Sequence, residues 1–179
     1  MKNHLNATFE IIPTKSRIRQ FNGYHRMDQT YLYQQVVGFT CIHCKREISS
    51  DPVVSGLNNR NHCPYCLHSR HVDLDKAGDR LNACKGDLEP IGLAWKKSHK
   101  KYGSGANELM VIHQCKDCQR FSVNRIAADD RTDLLEDLYR KTLHLPESLL
   151  ALLKAASIQP VYEENTIEAL ACLFGKAYL

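Results

Sequence analysis

The sequence predicts a small α+β fold stabilised by metal more than by a large apolar core. Three observations point there. Eight cysteines stand in 179 residues, and six of them form C-x2-C pairs. Short apolar runs of strand length fill residues 36–128, and from residue 129 the apolar spacing turns helical. The expected order is two zinc-ribbon or knuckle units with a β-hairpin, followed by a short α-helical C-terminal cap.

Composition narrows the class. Hydrophobic residues make up 43% and charged residues 25% of the chain, which is ordinary globular usage. No run approaches the roughly 18 apolar residues of a membrane span. The opening residues, MKNHLNATFEIIPTKSR, lack the apolar stretch of a secretion signal. A cytoplasmic chain without membrane association is therefore expected. There the thiols stay reduced, and clustered cysteines point to metal and not to disulfides.

Three segments are legible. Residues 1–35 read as an irregular N-terminal arm, polar and dotted with Tyr24, Tyr31 and Tyr33. Residues 36–130 read as the metal-binding domain. Within it, Leu88–Trp95 and Glu108–His113 flank a polar stretch, Lys96–Asn107, which predicts a hairpin with a long basic loop. Residues 131–179 read as helical. Asp129, Asp130 and Thr132 offer N-cap chemistry ahead of Leu134, Leu135, Leu138 and Leu143. Pro146 ends that pattern and opens a second, with Leu149, Leu150, Leu152 and Leu153. Pro160 breaks the chain again, and Thr166 is positioned to cap a third helix carrying Leu170, Leu173 and Phe174. Cys172, on that helix and far from other ligands, reads as a small buried apolar residue.

The metal sites follow from spacing. Cys41 and Cys44 form one C-x2-C pair, Cys63 and Cys66 another, eighteen residues apart. A C-x2-C turn aims two sulfurs at one centre, and two such turns complete a tetrahedron around zinc. A second set begins with Cys84 before the hairpin and continues with Cys115 and Cys118 after it. The position three before Cys84, where a partner cysteine is expected, holds Leu81. The fourth ligand is then His113, two residues before Cys115 on the same strand face, or His71, upstream of Cys84. His113 is put slightly ahead, and Asp79 is a weaker option. Two zinc ions change the electrostatics. A four-thiolate site carries −2 and a three-thiolate, one-histidine site −1, so the formal +4 of the chain falls to +1. The distribution matters more: residues 1–128 carry +8 and residues 129–179 carry −4.

Residues 60–64 spell Arg-Asn-His-Cys-Pro. They are followed by His71 and Asp73, Gly78 to Arg80, Cys84 to Gly86, Glu89 to Gly92, His113 with Cys115 and Cys118, Asn124 with Arg125, and Ala128 to Asp130. In this order the motifs resemble the RNHCP domain family over roughly residues 38–138. The resemblance implies the zinc-bound fold and brings no activity with it. Gln119 departs from the pattern, since a glycine commonly follows the last knuckle cysteine in that family; this bears on the turn.

Two basic groups suggest nucleic acid, RNA before DNA, in translation or ribosome-related work. Lys96, Lys97, Lys100 and Lys101 lie within six residues, with Trp95 and Tyr102 at the ends. Ammonium groups there would contact phosphates, and the rings would stack on unpaired bases. Arg60, Arg70 and Arg80 beside the first zinc, with Arg120 and Arg125 beyond the last knuckle, would extend that surface. The competing expectation is a zinc-stabilised module that docks a protein partner through residues 132–179. Enzyme motifs do poorly, because G-x4-G-K-[ST], G-x-S-x-G and H-E-x-x-H are all missing. An HNH-like nuclease is a remote alternative, since His62 abuts a knuckle cysteine instead of standing clear of the zinc.

Overall fold

The computed structural model describes residues 38–74, 76–97 and 107–175. The N-terminal arm and most of the basic loop, including Lys100, Lys101 and Tyr102, lie outside the described residues.

The first unit has little secondary structure. Strands β1 (Phe39–Thr40) and β2 (Glu47–Ile48) pair antiparallel across the first knuckle. The connection to the second knuckle is not all loop. Pro52–Ser55 form a single helical turn, α1, capped by the Asp51 side chain and closed by Gly56 at a φ of 70°. Pro52 at the first position suits that turn, since its missing N–H would be unpaired there anyway.

The hairpin is the centre of the molecule. β4 (Asp87–Lys96) pairs antiparallel with β5 (Glu108–Cys115), and β6 (Phe121–Arg125) adds to β5. On its other side β4 pairs first with β3 (Ser69–Arg70) and then with β7 (Gln159–Pro160). A register shift between Pro90 and Gly92 leaves the Leu93 N–H to a side chain, and Thr142 accepts it at 2.8 Å.

Three further helices cover this sheet: α2 (Thr132–Leu143), α3 (Glu147–Ala155) and α4 (Thr166–Phe174). Leu135, Leu138 and Tyr139 of α2 and Ala169 of α4 share one core with Leu93, Trp95, Leu109 and Val111. Leu153 of α3 packs with Ala94 and Ile112, residues one position along each strand and so on the opposite face. Period 3.6 meets period 2, as the sequence suggests. Two details differ. Arg131 is the N-cap of α2 and makes no side-chain capping bond, because the carboxylates of Asp129 and Asp130 are used elsewhere. Cys172 is exposed, not buried. Among the described residues, no helix is long and apolar enough to cross a membrane.

Candidate metal centres and basic surface

Seven cysteines and one histidine gather into two sets: Cys41, Cys44, Cys63 and Cys66, then His71, Cys84, Cys115 and Cys118. Within each set the ligand atoms lie within 4.8 Å of one another. Sγ atoms of Cys41 and Cys66 are 3.5 Å apart, those of Cys44 and Cys63 3.6 Å, and those of Cys84 and Cys115 3.6 Å. A disulfide needs about 2.05 Å. A tetrahedron with Zn–S near 2.3 Å puts sulfurs about 3.8 Å apart. The spacing and the donor set therefore fit zinc, and the protein has two zinc sites.

One backbone turn recurs at every knuckle. Lys45, Leu67, Lys85 and Gln119, each directly after a knuckle's last cysteine, have φ of 63°, 59°, 52° and 61°. In the three C-x2-C knuckles that residue donates its N–H to the carbonyl of the first cysteine: Lys45 to Cys41, Leu67 to Cys63, Gln119 to Cys115. The first cysteine's own N–H then donates to a carbonyl two residues past the last cysteine, in Arg46, His68 and Arg120. At Cys84 the same two bonds form with a residue remote in sequence. Lys85 donates to the carbonyl of His71, and His71 donates to Gly86. His71 thus holds the backbone place of the missing first cysteine. Its Nδ1 is 3.3 Å from the Cys118 Sγ. Burial, then the nearby Arg120 charge, lower its pKa against the pull of Asp73, which favours the neutral imidazole a metal ligand must be.

The sequence puts His113 ahead of His71, and the structure reverses that order. Two residues along a strand span about 6.8 Å, so a histidine two before Cys115 is carried past the metal. His113 is instead fully buried, donating from Nε2 to the Leu67 carbonyl at 2.7 Å, while Asn124 Nδ2 lies 3.4 Å from its Nδ1. Burial lowers its pKa to about 3, so it stays neutral. Asp79 caps the turn at Leu74 and Lys76 and is not in either set. Gly86 was a missed requirement: a Cβ there would lie 2.9 Å from the Cys115 sulfur and 2.3 Å from an Asp117 oxygen.

Protons compete with metal for the sulfurs. In the first set burial raises Cys63 to about 11 and raises Cys66 as well. At Cys44 burial is outweighed by hydrogen bonds from the Arg46 backbone and neighbouring thiols, which bring it to about 7.

In the Arg-Asn-His string, Arg60 and His62 turn away from solvent and Asn61 is half-buried. Arg60 Nη1 donates to Asp129 at 2.7 Å, and Arg60 Nε donates to the His62 carbonyl. His62 Nε2 donates to Asp130, whose carboxylate also accepts the Ala127 N–H at 2.7 Å. Arg60, His62 and Asp130 are buried. Together they lock the second knuckle to the segment that leads into α2. Arg60 is therefore no part of a phosphate-binding face, which corrects the sequence expectation. His62, 1% exposed, gives its Nε2 to Asp130. Asn61 binds no backbone in its turn; it donates to Asp73 at 2.8 Å.

A third group, His43, His68 and Asp87, joins the two zinc units. The imidazoles stack with centroids 3.7 Å apart. Asp87 accepts from His68 Nδ1 at 2.8 Å and pairs with Lys116 at 3.3 Å. Burial alone would raise the Asp87 pKa, but His68 and Lys116 outweigh it and lower it. With a lysine ammonium on the carboxylate, the group reads as a clamp between knuckles and not as a cation site.

Of the remaining basic residues, Lys96, Lys97, Arg70, Arg80, Arg120 and Arg125 are all exposed. Arg125 pairs with Glu108 at 3.1 Å, and Arg80 stands 3.9 Å from Asp73. Trp95 is buried in the core and offers no stacking surface.

Two metal knuckle units joined to a sheet define a double zinc-ribbon protein. The RNHCP domain model matches residues 36–136, more than half of the chain, and the protein belongs to that family. Neither a curated protein nor a solved structure matches it.

Proposed function

We propose that this zinc protein binds nucleic acid, RNA before DNA, at the open end of its central hairpin, and that it does so in the cytoplasm in translation or ribosome-related work. The observation that carries this reading is the meeting of Lys96 and Arg125. They come from β4 and β6, on either side of β5, yet line one cavity at the root of the lysine-rich loop. Lys97 is exposed beside them. Residues 36–130 then serve as the RNA-binding unit and residues 131–179 brace its sheet. Arg70, Arg80 and Arg120 supply a weaker, separate basic surface around the zinc sites.

The test is a variant with Lys96, Lys97, Lys100 and Lys101 all changed to Gln. RNA affinity should fall, and the slope of log K against log salt should flatten by about 0.7–0.9 for each phosphate that is no longer neutralised. Zinc content and melting temperature should not move, since Lys96 and Lys97 are exposed and none of the four is a zinc ligand. Unaltered affinity and slope would refute the reading.

One observation favours a second reading, a partner docked on the tail. Leu152 of α3 and Ile167 of α4 are 55% and 68% exposed, with Tyr162 nearby in sequence at 44%. A hetero-complex lost on Leu152→Asp or Ile167→Asp, and indifferent to ribonuclease, would support it over the first.

A further inference from the structure

The two zinc sets differ in how openly they meet solvent. Four of the eight ligands, Cys41, Cys63, His71 and Cys115, are buried, and Cys44, Cys66 and Cys84 are half-buried. Among these eight described residues, Cys118 is the one exposed ligand. It stands in the turn between β5 and β6, inside a run of exposed residues from Lys116 to Arg120. The second knuckle of the first set is different. Leu67, directly after Cys66, is 1% exposed and belongs to the main core.

Oxidation of cysteine follows thiolate character and exposure. A zinc ligand is already a thiolate, so exposure decides which of these seven sulfurs an oxidant reaches. Cys118 also has a second thiolate at hand. Its Sγ and that of Cys115 lie within 4.8 Å of each other. The two are three residues apart in a turn closed by the Gln119 N–H on the Cys115 carbonyl. An accessible thiolate beside a buried one that can resolve it is the arrangement of a redox-sensitive pair.

We propose that Cys118 is an oxidation site for hydroperoxides, and that its conversion to a disulfide with Cys115 empties the second metal set while the first stays loaded. With hydrogen peroxide, the Cys118 thiolate attacks one peroxide oxygen. The O–O bond breaks, hydroxide leaves, and the sulfur becomes a sulfenic acid. The Cys115 thiolate then attacks that sulfur, the S–O bond breaks, and a second hydroxide leaves. Two protons from solvent turn the hydroxides into water. The two thiolates give up two electrons, and the peroxide takes them. His71 and Cys84 then remain, two ligands where a structural zinc site needs four, and they do not retain the ion. The hairpin stays folded, because helices cover both its faces.

The experiment uses the full zinc-loaded chain with Cys172→Ser, since Cys172 is an exposed thiol outside both sets and would consume oxidant. Hydrogen peroxide is added, released zinc is followed with a chromogenic indicator, and disulfides are mapped by mass spectrometry after alkylation. One of the two ions should come free, with Cys118 joined to Cys115 and the four cysteines of the first set still open to alkylation. A dithiol reductant and fresh zinc should restore the second ion. Cys118→His offers a ligand that peroxide cannot turn into a sulfenic acid, and once loaded with two ions it should release neither. The mapping with Cys118 in place decides the matter should that variant fail to load. Both ions leaving together, the first set oxidising before the second, or Cys118 found as a free thiol in the one-zinc protein would overturn the inference. So would a chain that releases no zinc at all.

Discussion

The two zinc units share a turn and differ in what stands behind it. In the first, Cys41 and Cys63 are 1% and 0% exposed, and with Ile48 they are themselves the core, packed by Phe39. Its own strands, β1 and β2, are two residues long. In the second, the cysteines sit at one end of a hairpin of ten- and eight-residue strands that is covered by helices on both faces. Cys118 is exposed. A segment too short to bury an apolar core must take its folding energy from metal. The second metal instead finishes a sheet that burial already stabilises.

That contrast can be broken by removing one metal at a time. Cys63→Ser should unfold residues 38–70 as a block, since structural zinc contributes on the order of 10 kcal/mol. Amide resonances of β4, β5 and β6 should persist. Cys115→Ser should do only local damage: the second zinc site loosens, while the hairpin and the first unit stay folded. If both variants collapse the whole chain alike, the two units are not differently supported.

The lock between the second knuckle and the segment that leads into α2 should give the next largest effect. Asp130→Ala leaves His62 and the Ala127 N–H without their acceptor inside the protein and weakens the hold on Arg60. The expected loss is about 3–5 kcal/mol in denaturant unfolding, with both zinc ions still bound. Loss of zinc at the same time would show that the lock holds the knuckle geometry as well as the helix.

The smallest effect sharpens the shared turn. Gln119 takes a φ of 61° that costs a side-chain-bearing residue about 1 kcal/mol or more. Gln119→Gly should raise stability by up to about 1 kcal/mol and leave metal content unchanged. A loss of stability would mean that its side-chain bonds to Lys116 and Gln114 matter more than the backbone.

Much of this was legible beforehand, for reasons that are local. The C-x2-C spacing fixes a knuckle within four residues, and the apolar spacing of Leu134, Leu135 and Leu138 fixes a helix within two turns. The Lys96–Asn107 break between two strand-like runs gives the hairpin. What was not legible depends on partners distant in the chain. Asp129 and Asp130 look like caps for the helix that follows, but their partner Arg60 lies 69 residues away from Asp129. For the same reason Arg60 looks like a surface charge. His71 and His113 are nearly equal by spacing, with His113 slightly ahead. Only the backbone pairing of His71 with Lys85 and Gly86 separates them. The cavity that Lys96 and Arg125 share is not legible either, because its lining comes from segments distant in the chain.

The most direct measurement is the zinc-to-chain ratio of the purified protein and three variants, by elemental analysis. Two ions per chain are expected for the unaltered protein and for His113→Ala, since His113 only packs and hydrogen-bonds. His71→Ala should lose one ion. His71→Cys should keep both, because residue 71 occupies the backbone place of a knuckle's first cysteine. One ion or none in the unaltered, folded chain, or zinc lost from His113→Ala and kept in His71→Ala, would contradict the account.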